Sequence, residues 1–157
     1  MEIAAHEEKI ARLSDLIGRL DPIEDFEIWM WACMSAATNA LNAALHHLGV
    51  TQPFDYFPHQ IPGLYVEPKP IAPWRWKRMF AEPGDVIHIG LPPCRAPVPE
   101  RILAAAAGLH VIEDLRETHV RGGQPVTREL AAACADAYRG AMAAFQTILA
   151  EPGRSPS

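Results

Sequence analysis

Residues 21–49, DPIEDFEIWMWACMSAATNALNAALHHLG, are the stretch that decides the fold. Asp21, Pro22 and Glu24 have the order of a cap, a first-turn proline and a capping-box partner. Gly49 at the far end suits the left-handed conformation that closes a helix. The residues between them would span roughly 40 Å at about 1.5 Å per residue. One stripe is apolar: Phe26, Trp29, Met30, Cys33, Ala37, Ala40, Leu41, Ala44 and Leu48. A second stripe, Trp31, Ser35, Asn39, Asn42 and His46, is mixed and recurs at helical spacing. Bulky groups on several sides with small polar groups between them predict a helix covered by neighbours around most of its circumference.

Working outward, Ile3, Ile10, Leu13, Ile17 and Leu20 form a coiled-coil-like seam that predicts a first helix over residues 2–20. Almost no loop separates it from the second, so the two should turn back on each other as a hairpin. Downstream, Ile102, Ala105, Leu109, Ile112 and Arg116 share one face of a helix expected from about Pro99 to Val120 and stopped at Gly122-Gly123. The run AAAAG at 104–108 removes side-chain bulk and permits close helix approach. A fourth helix is expected from about Pro125 to Ala150, with Leu130, Ala133, Cys134, Ala137, Ala141, Ala144, Phe145 and Ile148 as its core stripe.

Residues 50–98 differ in kind. Ten of the fifteen prolines fall there, which forbids a long helix or a central strand. Phe54, Tyr56, Phe57, Tyr65, Trp74, Trp76 and Phe80 supply the aromatic content that disordered segments lack. An ordered cap over the helices is expected, followed at the C-terminus by a frayed tail at 151–157. The fold class read from the sequence is therefore all-α: a single domain over 1–157, a four-helix up-down bundle with a long Pro-rich irregular insertion between helices 2 and 3.

At 157 residues and 49% hydrophobic, the chain is long enough to bury a core. Its net charge of −5 supplies no global field towards nucleic acid or anionic membrane, so any basic contact surface must be local. Cys33, Cys94 and Cys134 form no CxxC pair and leave one unmatched, which fits free thiols in a reducing cytoplasm. No basic-then-apolar leader and no bilayer-length apolar run is present, so a soluble cytoplasmic protein is expected.

Four groups of residues carry candidate chemistry. The first is RETHVRGG at 116–123, where Arg116, His119 and Arg121 cluster between the third and fourth helices. This register resembles the signature of HEPN domains, helical bundles whose motif is an arginine followed after four to six residues by a histidine, often as Arg-Asn-x-x-x-His-Gly. Arg116 and Gly122 fit that form; Glu117 stands at the asparagine and Arg121 at the histidine. The resemblance implies a dimer with a partner- or RNA-binding role. Many of these proteins are ribonucleases, in which the arginine holds phosphate and the histidine moves protons. A guanidinium cannot be deprotonated, so base catalysis from position 121 is lost and the nuclease motif is degenerate. Alternatively, Arg116 and His119 merely decorate a helix C-terminus, satisfying its dipole and last carbonyls.

The second group is Ser35, Asn39, Asn42 and His46, which would line a polar pocket beneath the cap, bond across a subunit interface, or simply meet the backbone and solvent. The third, His110, Glu113 and Glu117 with His46 or His47, is the set from which a bundle metal site would be built, and His6, His59 or His88 would complete it through the cap. Solvated charges and a histidine at a helix end explain the same residues. This group implies a metal- or small-molecule-dependent enzyme with its site under the cap. The fourth is Trp74, Arg75, Trp76, Lys77 and Arg78, suited to stacking on bases and neutralising phosphates, or to docking the tryptophans on the bundle. Ala-rich helix faces favour a homodimer.

Overall fold

The computed structural model describes residues 1–52 and 96–152. They form four α-helices, α1 (Ile3–Ile17), α2 (Phe26–His47), α3 (Glu100–Leu115) and α4 (Arg128–Leu149), with a π-helical stretch, Arg116–Arg121, continuing α3. No strand occurs among the described residues. The aromatic–basic run at 74–78, His59, His88, Cys94 and nearly all of the expected cap lie outside them.

The helix ends show how local chemistry sets element length. Asp21 caps as its sequence position suggests: its Oδ1 accepts the N–H groups of Ile23 and Glu24 at 2.8 and 3.0 Å. Those bonds hold its carboxyl below the usual carboxylate range. What they close is a single turn, and regular helix begins only at Phe26. The reciprocal acceptor of the Asp21 N–H is Asp25, at 3.0 Å, in place of the expected Glu24. The first helix also stops short of Leu20: past the C-cap Gly18 the N–H groups of Arg19 and Leu20 bond three residues back, to the Leu16 and Ile17 carbonyls at 3.0 and 3.4 Å, in place of four. At the other end of α2, Gly49 takes φ +69°, and the N–H groups of Val50 and Thr51 return to the Leu45 carbonyl at 2.9 and 3.3 Å. The expected stop at Gly49 is what the chain does. The fourth helix starts at Arg128 and not Pro125, since Thr127 Oγ1 accepts the Leu130 N–H at 3.2 Å and supplies the cap.

The second helix is the spine. From Ala32 to Leu45 every residue except the half-buried Ser35 is buried. Two apolar clusters meet along it. Ala37, Leu41, Leu45 and Val50 pack with Ile102, Leu109, Phe145 and Ile148. Trp29, Met30, Cys33 and Met34 pack with Ile112 and Cys134. The first helix lies along α2, and α4 packs on both α2 and α3. The expected face of α3, from Ile102 to Arg116, is buried at all five positions. On α4 the expectation needs correction at Ala133, which is exposed; Ala131 and Met142 are buried. Gly108 explains how closely α3 approaches α4: a Cβ there would lie 2.8 Å from the Ala137 carbonyl oxygen. The small residues at 104–108 do permit a close crossing.

Candidate functional site

The polar edge of α2 meets α1. Asn39 Nδ2 donates to the Ser35 carbonyl at 2.7 Å. A carbonyl only accepts, so this bond orients the amide and turns Asn39 Oδ1 towards α1. There it lies 2.9 Å from Nδ1 of His6, and because an amide oxygen also only accepts, that imidazole nitrogen carries the proton. His6 is 4% exposed and is the one buried residue of α1. Burial pushes its pKa below the ordinary value; the bond to Asn39 opposes this, and the N-terminal ammonium and Lys9 reinforce it. The ring is therefore neutral at pH 7, with a bare lone pair on Nε2.

His46 stands beside His6, ring centres 5.5 Å apart and planes tilted by 45°. Its Nδ1 is 2.7 Å from Thr51 Oγ1. Asn42 lies between Asn39 and His46 on the same face of α2, at helical spacings of three and four. It is 9% exposed, and its Oδ1 is buried without a hydrogen-bond partner. Ser35, Asn39, Asn42 and His46 share one face of α2, where Asn39 bonds back to the Ser35 carbonyl, and His6 and Thr51 lie against Asn39 and His46. The sequence did carry a signal for His6. The seam of α1 skips seven residues from Ile3 to Ile10, and His6 fills the position that a three–four alternation requires.

The junction 116–121 lies against the opening turns of α2. Arg116 is 6% exposed, with its guanidinium carbon 6.0 Å from the centre of the Trp31 ring. His119 meets Phe26 edge to face at 6.4 Å, and its Nδ1 is 3.3 Å from the Gln124 carbonyl oxygen. Arg121 is exposed. The three motif residues therefore occupy different environments: one sequestered on an indole, one half-buried on a phenyl ring, one facing solvent.

The metal set drawn from His110, Glu113 and His47 is not brought together. His110 and Glu113 are neighbours on α3, 3.8 Å apart. His47 instead approaches the Glu151 carbonyl oxygen at 2.9 Å, and Arg101 holds the Glu151 carboxylate at 2.7 Å. His110 stands nine residues beyond Arg101, about 13 Å further along the axis of α3. Among the described residues, no three His, Cys, Asp or Glu side chains gather as a metal-binding group. Cys33 and Cys134 are buried free thiols raised in pKa by desolvation, Cys134 to about 11, so neither is a poised nucleophile. A shallow groove of about 450 Å³ between α3 and α4, lined by Ala104, Gly108, Ala137 and Gly140, offers one charged group, Arg101.

No protein-family model, curated protein or solved structure matches this chain. No described helix is long and apolar enough to cross a membrane.

Proposed function

We propose that this protein works by binding rather than by catalysis: a HEPN-like up-down bundle, dimeric and cytoplasmic, that engages an RNA or protein partner through the junction between α3 and α4. The exposure of Arg121 carries this reading. The position where the HEPN motif needs a titratable imidazole holds a permanent cation facing solvent, able to grip a phosphate or carboxylate but not to move a proton. Arg116, buried on Trp31, positions the junction and does not contact the partner. The buried free thiols fit a reducing compartment.

The test is a pair of measurements on the full chain. Fluorescence anisotropy with a short single-stranded RNA at low salt should show binding that weakens on Arg121→Ala, without cleavage of the RNA. Light scattering should give twice the chain mass. RNA cleavage abolished by His119→Ala would overturn the non-catalytic reading. Absence of RNA binding, together with a monomeric mass, would remove the HEPN-like one.

A further inference from the structure

We propose that α1 is an acid-released arm: protonation of His6 undocks it from α2, while α2, α3 and α4 stay packed together. The inference is independent of the reading of the α3–α4 junction.

The attachment of α1 is one-sided. Among the described helices its main partner is α2, whereas α3 and α4 pack on each other as well as on α2. Ser14 adds a hydrogen bond to Tyr138 on α4. The apolar seam of α1 is only half-buried, at Ile3, Ile10, Leu13 and Ile17, and His6 is the one buried residue of the helix. Its link to α2 is the non-helical stretch 18–25. A helix with so little buried apolar surface opens at lower free energy than the core on which it rests.

The one buried position is also the one that a proton can change. His6 Nδ1 donates to Asn39 Oδ1 across the seam at 2.9 Å, so a second proton goes to Nε2 and creates a cation inside the interface. Among the described residues, nothing acting on His6 compensates that charge. From α2 it meets Asn39 and the His46 ring, with centres 5.5 Å apart; Lys9 on α1 and the N-terminal ammonium ahead of it are cations. The nearby acids Glu2, Glu7 and Glu8 are exposed. Burial therefore acts unopposed by any carboxylate, and the docked ring resists a proton that the undocked ring takes at its ordinary value of 6.5. Linkage gives the sign. Docking is at full strength above pH 6.5 and weakens as pH falls below it, down to the pKa of the docked ring. Undocking bares the face of α2 that carries Asn39 and His46.

Hydrogen exchange of the full chain at pH 7.5 and pH 5, read by mass spectrometry as protection factors, tests the arm. Protection in α1 should fall by up to about thirtyfold between the two, the limit for one proton taken up at 6.5, while α3 and α4 keep theirs. His6→Gln keeps an uncharged N–H donor and should make protection in α1 independent of pH; protection in α3 and α4 shows that the variant folds. His46→Gln should leave the pH response in place. Unchanged protection of α1 at pH 5, or loss of protection in all four helices together, would overturn the proposal. So would a response that survives His6→Gln and disappears with His46→Gln.

Discussion

His6 on α1 and Asn39 on α2, 33 positions apart in sequence, are joined by a 2.9 Å hydrogen bond in a buried seam. That bond makes the docking of α1 depend on a titratable ring. The other seam residues of α1, Ile3, Ile10, Leu13 and Ile17, are only half-buried. A single polar contact at a core position selects one register between two helices at some cost in stability.

One consequence is a pH dependence of stability. The folded pKa of His6 is lowered, so below its ordinary value of 6.5 the unfolded chain binds a proton that the folded chain resists. Stability should fall as pH drops from about 6.5 towards the folded value and level off below it. Among the described residues, the groups acting on His6 include no carboxylate to offset this: Asn39 and His46 come from α2, Lys9 from its own helix, and the N-terminal ammonium from just ahead of it. Urea denaturation at pH 7.5 and pH 5, for wild type and His6→Gln, checks it. The substitution should flatten this part of the pH slope.

Asn42→Leu should stabilise the chain. An unsatisfied buried acceptor costs about 1–3 kcal/mol, and leucine is also the better helix former. An unchanged or lower midpoint in chemical denaturation would mean that Asn42 Oδ1 is paired in solution.

Gly108 and Gly140 should respond oppositely to alanine. At Gly108 the new Cβ meets the Ala137 carbonyl oxygen at 2.8 Å and Ala141 Cβ at 3.1 Å, forcing α3 and α4 apart. Overpacking of this kind costs about 1–3 kcal/mol, enough to outweigh the gain in helix propensity. At Gly140 a Cβ meets nothing within 4 Å. There alanine should stabilise by about 0.5–1 kcal/mol. Thermal melts of the two variants give the comparison.

Arg116→Ala should destabilise by more than about 1 kcal/mol, since it removes both the cation–π contact and the packing of the arginine stem. Arg121→Ala, at an exposed position, should stay within about 0.5 kcal/mol of wild type. Equal effects on stability would mean that the two arginines do not differ in burial.

In a Cys94→Ser background, Cys33 and Cys134 should resist thiol reagents at pH 8 until the chain is unfolded. Both thiols are buried and desolvated, so little thiolate exists to react. Rapid labelling of the native protein, followed by a chromogenic disulfide, would show that the α2–α4 contact opens.

What the sequence determined by itself was local. Periodicity assigned the four helices, put Arg116 on the core face of α3, and marked α2, with bulk on several sides, as the spine; Gly49 marked the stop that the left-handed turn makes. These are legible because a helix's faces and ends depend on residues within one or two turns. What only the tertiary structure decided was which faces meet and at what height. Apolar spacing picks out Ile3 and Ile10 on α1 but not His6 between them, whose importance comes from standing level with Asn39 and His46. His110 and His47 are both plausible ligands in sequence, yet lie about two turns apart along the bundle. Spacing within a helix is covalent and can be counted; the sliding of one helix against another is settled by packing across the whole interface, and that sum is not written in any single stretch of the chain.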